Sequence, residues 1–170
     1  PVWDLDDLYP GTDSDALQRD LKKIEADAKA FNESYAGKVA RLDGPKLGRA
    51  VAEYEALDEV MGRILSYAQL VYAGDVSDSN VGKFYQTVQE QVNQVSSALV
   101  FFELELLSLE DDVLEDRLAA PALAKYASWL RNIHVFRPHK LDEATERLLH
   151  EKHVAGRAAW SRLFDETVAD

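Results

Sequence analysis

Residues 81–109 read VGKFYQTVQEQVNQVSSALVFFELELLSL, and this stretch decides the fold. Nine apolar side chains recur in it at alternating steps of four and three residues, which places them on one stripe of a helix. The opposite side is polar but mostly uncharged, which indicates a central helix that is contacted on more than one side. An unbroken helix of this length would be about 40 Å long. The apolar stripe consists of Val81, Tyr85, Val88, Val92, Val95, Leu99, Phe102, Leu106 and Leu109.

A lead-in over residues 1–12 precedes the first predicted helix. Its apolar residues are suited to docking on a core, and Pro10-Gly11 ends any helical tendency. These apolar residues are Trp3, Leu5, Leu8 and Tyr9.

The same periodicity predicts long helices at about 13–36, 45–73 and 79–108, followed by shorter helices over about 109–170. The apolar stripe of the second helix widens after Met61, which predicts that its C-terminal half is the more buried. Short loops between long helices favour antiparallel neighbours. We therefore predict an all-α fold, an antiparallel bundle of three long N-terminal helices followed by shorter ones, with no sheet and with one domain over 1–170.

Charge and composition exclude several classes of function. The 170 residues carry a net charge of −12, which disfavours binding to nucleic acid and to anionic membrane surfaces. No apolar run reaches the length of a membrane span. The chain contains no cysteine, so disulfides and thiolate metal sites are excluded and a cytoplasmic location is expected. The helical pattern stops at Asp170 without a C-cap glycine, which predicts the N-terminal fragment of a longer protein.

Two groups of residues qualify as candidate sites. His150 and His153 share a helix face with Glu146 and offer zinc ligands, although their spacing is not that of the HExxH motif. The second group lies around the connector at 136–139 and consists of Arg131, His134, Arg137 and His139. These side chains form either a binding site for an anion or a set of contacts to helix ends and nearby acids.

The acid pairs Asp6-Asp7 and Asp111-Asp112 have the chemistry of general acids and bases, but we interpret them as surface charges. For both candidate groups we favour the structural interpretation. We therefore assign no catalytic, cofactor-binding or metal-binding residue.

Four stretches, taken in order, resemble oligoendopeptidase F of the M3 family of zinc metallopeptidases. They are WDLDDLYPG at 3–11, ILSYAQLVYAGDVSD at 64–78, FRPHKLDEATERLL at 136–149 and GRAAWSRLFDE at 156–166. The resemblance implies a helical N-terminal region that forms a wall of the substrate channel of a cytoplasmic oligopeptidase and limits access to short peptides. It also implies that zinc-activated water hydrolyses the peptide bond in a downstream HExxH domain, which this chain lacks.

The partners implied by the resemblance are that catalytic domain and short peptide substrates, with neither nucleic acid nor membrane among them. No zinc is expected in this segment, which is predicted to be inactive alone. One alternative is a stand-alone helical interaction module that self-associates through the apolar stripe. Another is a small metal-binding helical protein that uses Glu146, His150 and His153.

Overall fold

The computed structural model describes residues 4–169, and every regular element in that range is a helix or a helical turn. The prediction of an all-α fold is confirmed. The helices are α1 (Asp15–Tyr35), α2 (Gly44–Gly74), α3 (Ser79–Ser97), α4 (Val100–Leu107), α5 (Asp111–Leu118), α6 (Ala127–His134), α7 (Glu143–His153) and α8 (Ala159–Ala169). Short 3₁₀ turns occupy Val39–Arg41, Pro121–Tyr126 and Arg137–His139, and a π turn at Val154–Ala158 joins α7 to α8.

Side-chain caps mark where four of these helices begin. The Ser14 hydroxyl accepts a hydrogen bond from the amide of Leu17, and the carboxylates of Asp43, Asp78 and Asp142 accept bonds from first-turn amides at the starts of α2, α3 and α7. Each bond satisfies an amide that has no partner within its helix.

The core lies between α1, α2 and the α3–α4 segment, and aromatic rings fill its centre. Phe102 is completely buried, and its ring centroid lies 5.0 Å from that of Phe31 and 5.1 Å from that of Tyr54. Tyr9 of the lead-in is also buried, and its hydroxyl donates to Asp20 at 2.7 Å. Leu5 and Leu8 of the lead-in pack against the core as predicted, whereas Trp3 lies outside the described residues.

The predicted unbroken helix over 79–108 is wrong, because the structure divides it at Ala98 and Leu99. The Ala98 carbonyl accepts a hydrogen bond from the Asn32 side chain of α1 at 2.8 Å. In an α-helix the amide of Phe102 would donate to that carbonyl. Here it donates to the carbonyl oxygen of Leu99 instead, at 2.9 Å. Competition from side-chain polar groups is a recognised cause of helix kinks. Apolar periodicity continues through the break, so the sequence pattern does not reveal it.

The apolar stripe is the inner surface of the bundle. Seven of its nine residues are buried, and α3 packs against α1, α2 and α7, as expected for a helix contacted on several sides. The alternative in which this stripe mediates self-association is therefore wrong, because the chain's own core already covers it.

The start of α2 is as deeply buried as its C-terminal half, contrary to the prediction. Gly44 lies against Arg117 and Ala120 at the end of α5, and Gly48 lies against the turn at Pro121–Tyr126, both so closely that side chains would not fit. A Cβ atom built on Gly48 would lie 2.6 Å from the Cβ of Ala122. Two glycines four residues apart thus let the backbone of α2 approach the end of α5 and the turn that follows it.

Within residues 4–169, no helix has the length and apolar character that crossing a membrane requires.

Candidate functional site

A groove of about 760 Å³ lies between α1 and α3. It extends along α1 from Gln18 to Glu33, and Arg147 of α7 completes its rim. Its apolar lining consists of Leu21, Ile24, Ala28, Val95 and Ala98. No sequence pattern predicted this groove, because its two walls lie about 70 residues apart in the chain.

Amide and charged side chains make up the polar lining of the groove. Gln18, Gln91 and Gln94 are among the amides, and they make no side-chain hydrogen bond to any residue of the described range. A side-chain amide can donate and accept at once, as the backbone of a peptide does. The charged lining is mixed, since Lys22, Lys29 and Arg147 stand beside the carboxylates of Glu25 and Glu33.

His150 contacts Ser96 of α3, a pairing that the sequence did not suggest. The Oγ atom of Ser96 lies 2.7 Å from Nε2 of His150 and 3.1 Å from the carbonyl oxygen of Asn93. The direction of the hydrogen bond between Ser96 and His150 depends on the tautomer of the imidazole. The pair attaches α7 to α3.

The other residues of the candidate zinc site are not directed at a common point. An Oε1 atom of Glu146 accepts a hydrogen bond from the amide of Leu141 at 3.0 Å, and His153 is exposed to solvent. Across the described part of the chain, no three histidine, aspartate or glutamate side chains come together in a group that could hold a metal ion. Glu146, His150 and His153 therefore do not form a zinc site with one another in the described structure.

The basic cluster around the connector forms ion pairs between helices. Arg131 donates two hydrogen bonds to Glu115 at 2.9 and 2.7 Å, which lower the pKa of that carboxyl. Arg137 likewise holds the pKa of Glu110 low through a hydrogen bond. Nε2 of His134 lies 2.9 Å from the carbonyl oxygen of Leu109, at the end of α4. These contacts agree with the interpretation that the cluster satisfies helix ends and nearby acids.

The two acid pairs lie on the surface. Asp6, Asp7, Asp111 and Asp112 are all exposed, and Asp111 stands at the start of α5, where a negative charge is favourable.

Comparison with known proteins supplies the family context. Residues 105–170 match the family model described as Oligopeptidase F. The chain is also 28% identical over 155 residues to Oligopeptidase PepF of Bacillus subtilis strain 168, a match that covers 88% of this chain. The resemblance to the N-terminal region of oligoendopeptidase F is confirmed. No solved structure matched the chain.

The two chains differ greatly in length. The chain spans 22% of the length of the Bacillus relative. The family-model match extends from the end of α4 through α8, so it includes the π turn and both helices that flank it.

Proposed function

We propose that this chain is the non-catalytic N-terminal region of a cytoplasmic zinc metallo-oligopeptidase of the oligoendopeptidase F type. In this proposal it forms one wall of the substrate channel and limits access to short peptides, while a downstream domain holds the zinc and cleaves the peptide bond. The similarity to Oligopeptidase PepF supports a peptidase parent. The observation that carries the assignment of a wall is the amide-lined groove between α1 and α3.

The dimensions of the groove suit a short extended peptide. From Gln18 to Glu33 the groove follows α1 for about 22 Å, at 1.5 Å per residue. An extended peptide rises about 3.3 Å per residue, so about six or seven residues would lie along this length. The amides of Gln18, Gln91 and Gln94 can bond to the peptide backbone irrespective of its side chains. Such a surface selects for an unfolded backbone and excludes a folded protein.

The expected inactivity of the isolated segment is also part of this proposal. His150 and Glu146 are engaged in contacts that hold α7 in place, and the sequence contains no HExxH motif. The direct test is to incubate residues 1–170 with a quenched fluorescent peptide and added zinc. We expect no hydrolysis, and cleavage that a chelator abolishes would contradict the proposal.

The role of the groove is tested in the parent protein with glutamine-to-leucine variants. We expect Q91L/Q94L to raise KM for peptides of five to eight residues by about five- to tenfold and to leave kcat nearly unchanged, because uniform binding is lost. The matched control is Q69L, which replaces an exposed glutamine of α2 that does not line the groove. Equal KM values for Q91L/Q94L and Q69L would show that the groove does not bind the substrate.

A further inference from the structure

Four charged side chains of α1 line the groove without a partner of opposite charge. All four are exposed, and within residues 4–169 none of them forms an ion pair or a side-chain hydrogen bond. We call them the charged row. The charged row consists of Lys22, Glu25, Lys29 and Glu33. Their charges are therefore available to a molecule that lies in the groove.

The lack of ion pairs is specific to the groove side of α1. Oppositely charged residues four positions apart on a helix are neighbours that can pair. Lys23 and Asp27 have this spacing, do not line the groove, and form an ion pair with each other. Arg147, on the rim that α7 provides, is likewise paired with an acid of its own helix. Glu25 and Lys29 have the same spacing as these pairs, and yet they do not pair.

The sign of the charge alternates along the charged row. At 3.6 residues per turn its four positions fall within about 80° of the helix circumference, so they form one line on α1. From Lys22 to Glu33 the signs run positive, negative, positive and negative over about 16 Å, at 1.5 Å per residue. The row as a whole is neutral, so what it can distinguish in a ligand is the order of the charges.

An extended peptide presents its side chains at a matching interval. Side chains on one side of such a peptide are about 6.6 Å apart, since each residue rises about 3.3 Å and alternate residues point the same way. Glu25, Lys29 and Glu33 follow one another at steps of about 6 Å along α1. Two peptide steps of about 13 Å thus cover the distance of about 12 Å from Glu25 to Glu33. The flexible side chain of Lys22 can reach the next peptide position.

We infer that the groove selects peptides whose charges alternate in sign at every second residue, in the order acidic-x-basic-x-acidic-x-basic. This inference rests on the proposed function, because it requires the groove to bind the peptide substrate. Basic side chains of such a peptide face Glu25 and Glu33, and acidic side chains face Lys22 and Lys29. Exposed ion pairs stabilise little individually, so the charged row acts chiefly by rejecting peptides that set like charges opposite one another.

Two quenched fluorescent peptides of identical composition test the inference in the parent protein. One has the alternating order Glu-Ala-Lys-Ala-Glu-Ala-Lys, and the other has the blocked order Glu-Ala-Glu-Ala-Lys-Ala-Lys. We expect KM at low ionic strength to be about fivefold lower for the alternating peptide, and the difference should disappear near 1 M salt, where the Debye length is about 3 Å. Equal KM values at low ionic strength would overturn the inference.

Exchanging two charges of the row should reverse the preference. The variant E25K/K29E keeps the net charge but orders the signs as two positive and then two negative, which matches the blocked peptide. We expect this variant to have the lower KM for the blocked peptide. The replaced residues are exposed, so the fold should tolerate the exchange.

The matched control is K23D/D27K, which exchanges the paired charges that do not line the groove. It should keep the wild-type preference for the alternating peptide. Preferences of the cleavage site cancel, because every protein receives the same two peptides. If E25K/K29E also kept the wild-type preference, the charged row would not be the source of the selectivity and the inference would fall.

The variant Q91L/Q94L separates this inference from the proposed function. If it raises KM while the wild type treats the two peptides alike, only the inference about charge order is overturned. If the parent hydrolyses no peptide at all, the assignment as an oligopeptidase is overturned. In that case the binding of labelled alternating and blocked peptides to the same preparation, measured by fluorescence anisotropy, decides the inference about charge order.

Discussion

Replacing Gly48 with alanine should destabilise the chain, because α2 and the turn at Pro121–Tyr126 leave no room for a methyl group. The new Cβ would lie 2.6 Å from the Cβ of Ala122 and 3.1 Å from its carbonyl carbon and oxygen. Neither neighbour can rotate away, since one is backbone and the other is attached directly to it. The helix must therefore move by about 1 Å, and overpacking of this kind costs about 1–3 kcal/mol.

The matched control is Gly62→Ala in the same helix, where a new Cβ would meet no atom within 4 Å. Alanine is favoured over glycine in a helix by about 1 kcal/mol, and this gain is common to both variants. The difference in the free energy of unfolding between G48A and G62A should therefore equal the steric cost alone. For a domain of this size, 1 kcal/mol shifts the melting temperature by about 2–4 °C.

Urea and thermal unfolding followed by circular dichroism measure this difference. The double variant G48A/A122G should recover part of the loss, because removal of the Ala122 methyl group relieves the shortest contact. If G48A were as stable as G62A, the close approach of α2 to the turn would be refuted. The same result would refute the explanation for the deep burial of the start of α2.

Three further predictions concern the core, the break in the central helix and the pH dependence of stability. Phe102→Ala should cost about 3–5 kcal/mol in urea unfolding, whereas Phe164→Ala, at a position that is 65% exposed, should change stability of the isolated chain by less than about 0.5 kcal/mol. Asn32→Ala removes the hydrogen bond to the Ala98 carbonyl and should cost about 0.5–1.5 kcal/mol in the same assay, and an unchanged stability would exclude this bond as the cause of the break. Hydrogen bonds from Lys125 and Tyr126 lower the pKa of Glu55 below its ordinary value of 4.5. The stabilisation from these bonds is therefore complete above pH 4.5 and is lost as the pH falls through the lowered pKa. Urea unfolding of wild type and E55Q at pH 7, 5 and 3 should show a difference in stability that is full at pH 7 and narrows as the pH falls below 4.5. A difference that widens on acidification would contradict the assigned contact.

Much of the fold could be predicted from the sequence, because it depends on local periodicity and capping. The four-and-three spacing of apolar residues predicted helices close to α1 and α2. Ser14 and Asp142, which cap α1 and α7, are residue types that favour the N-cap position. The family resemblance was also contained in short stretches of sequence.

The candidate groove could not be predicted, since it exists only where α1 and α3 lie side by side. Gln18 and Gln94 are unremarkable polar residues in a helical pattern, and nothing local indicates that they line one surface. The break at Ala98 has the same origin, because the group that competes for its carbonyl belongs to Asn32, 66 residues earlier in the chain.

The sequence by itself determined most of the helices, several of their caps and the family resemblance, because each of these depends on residues close together in the chain. Only the tertiary structure decided which side of each helix is covered. Periodicity shows that α8 has an apolar side, yet that side faces outwards while Arg162 faces the bundle. The direction in which a helix face points depends on the neighbours available to it and on the turn that precedes it. Both are properties of the assembled chain.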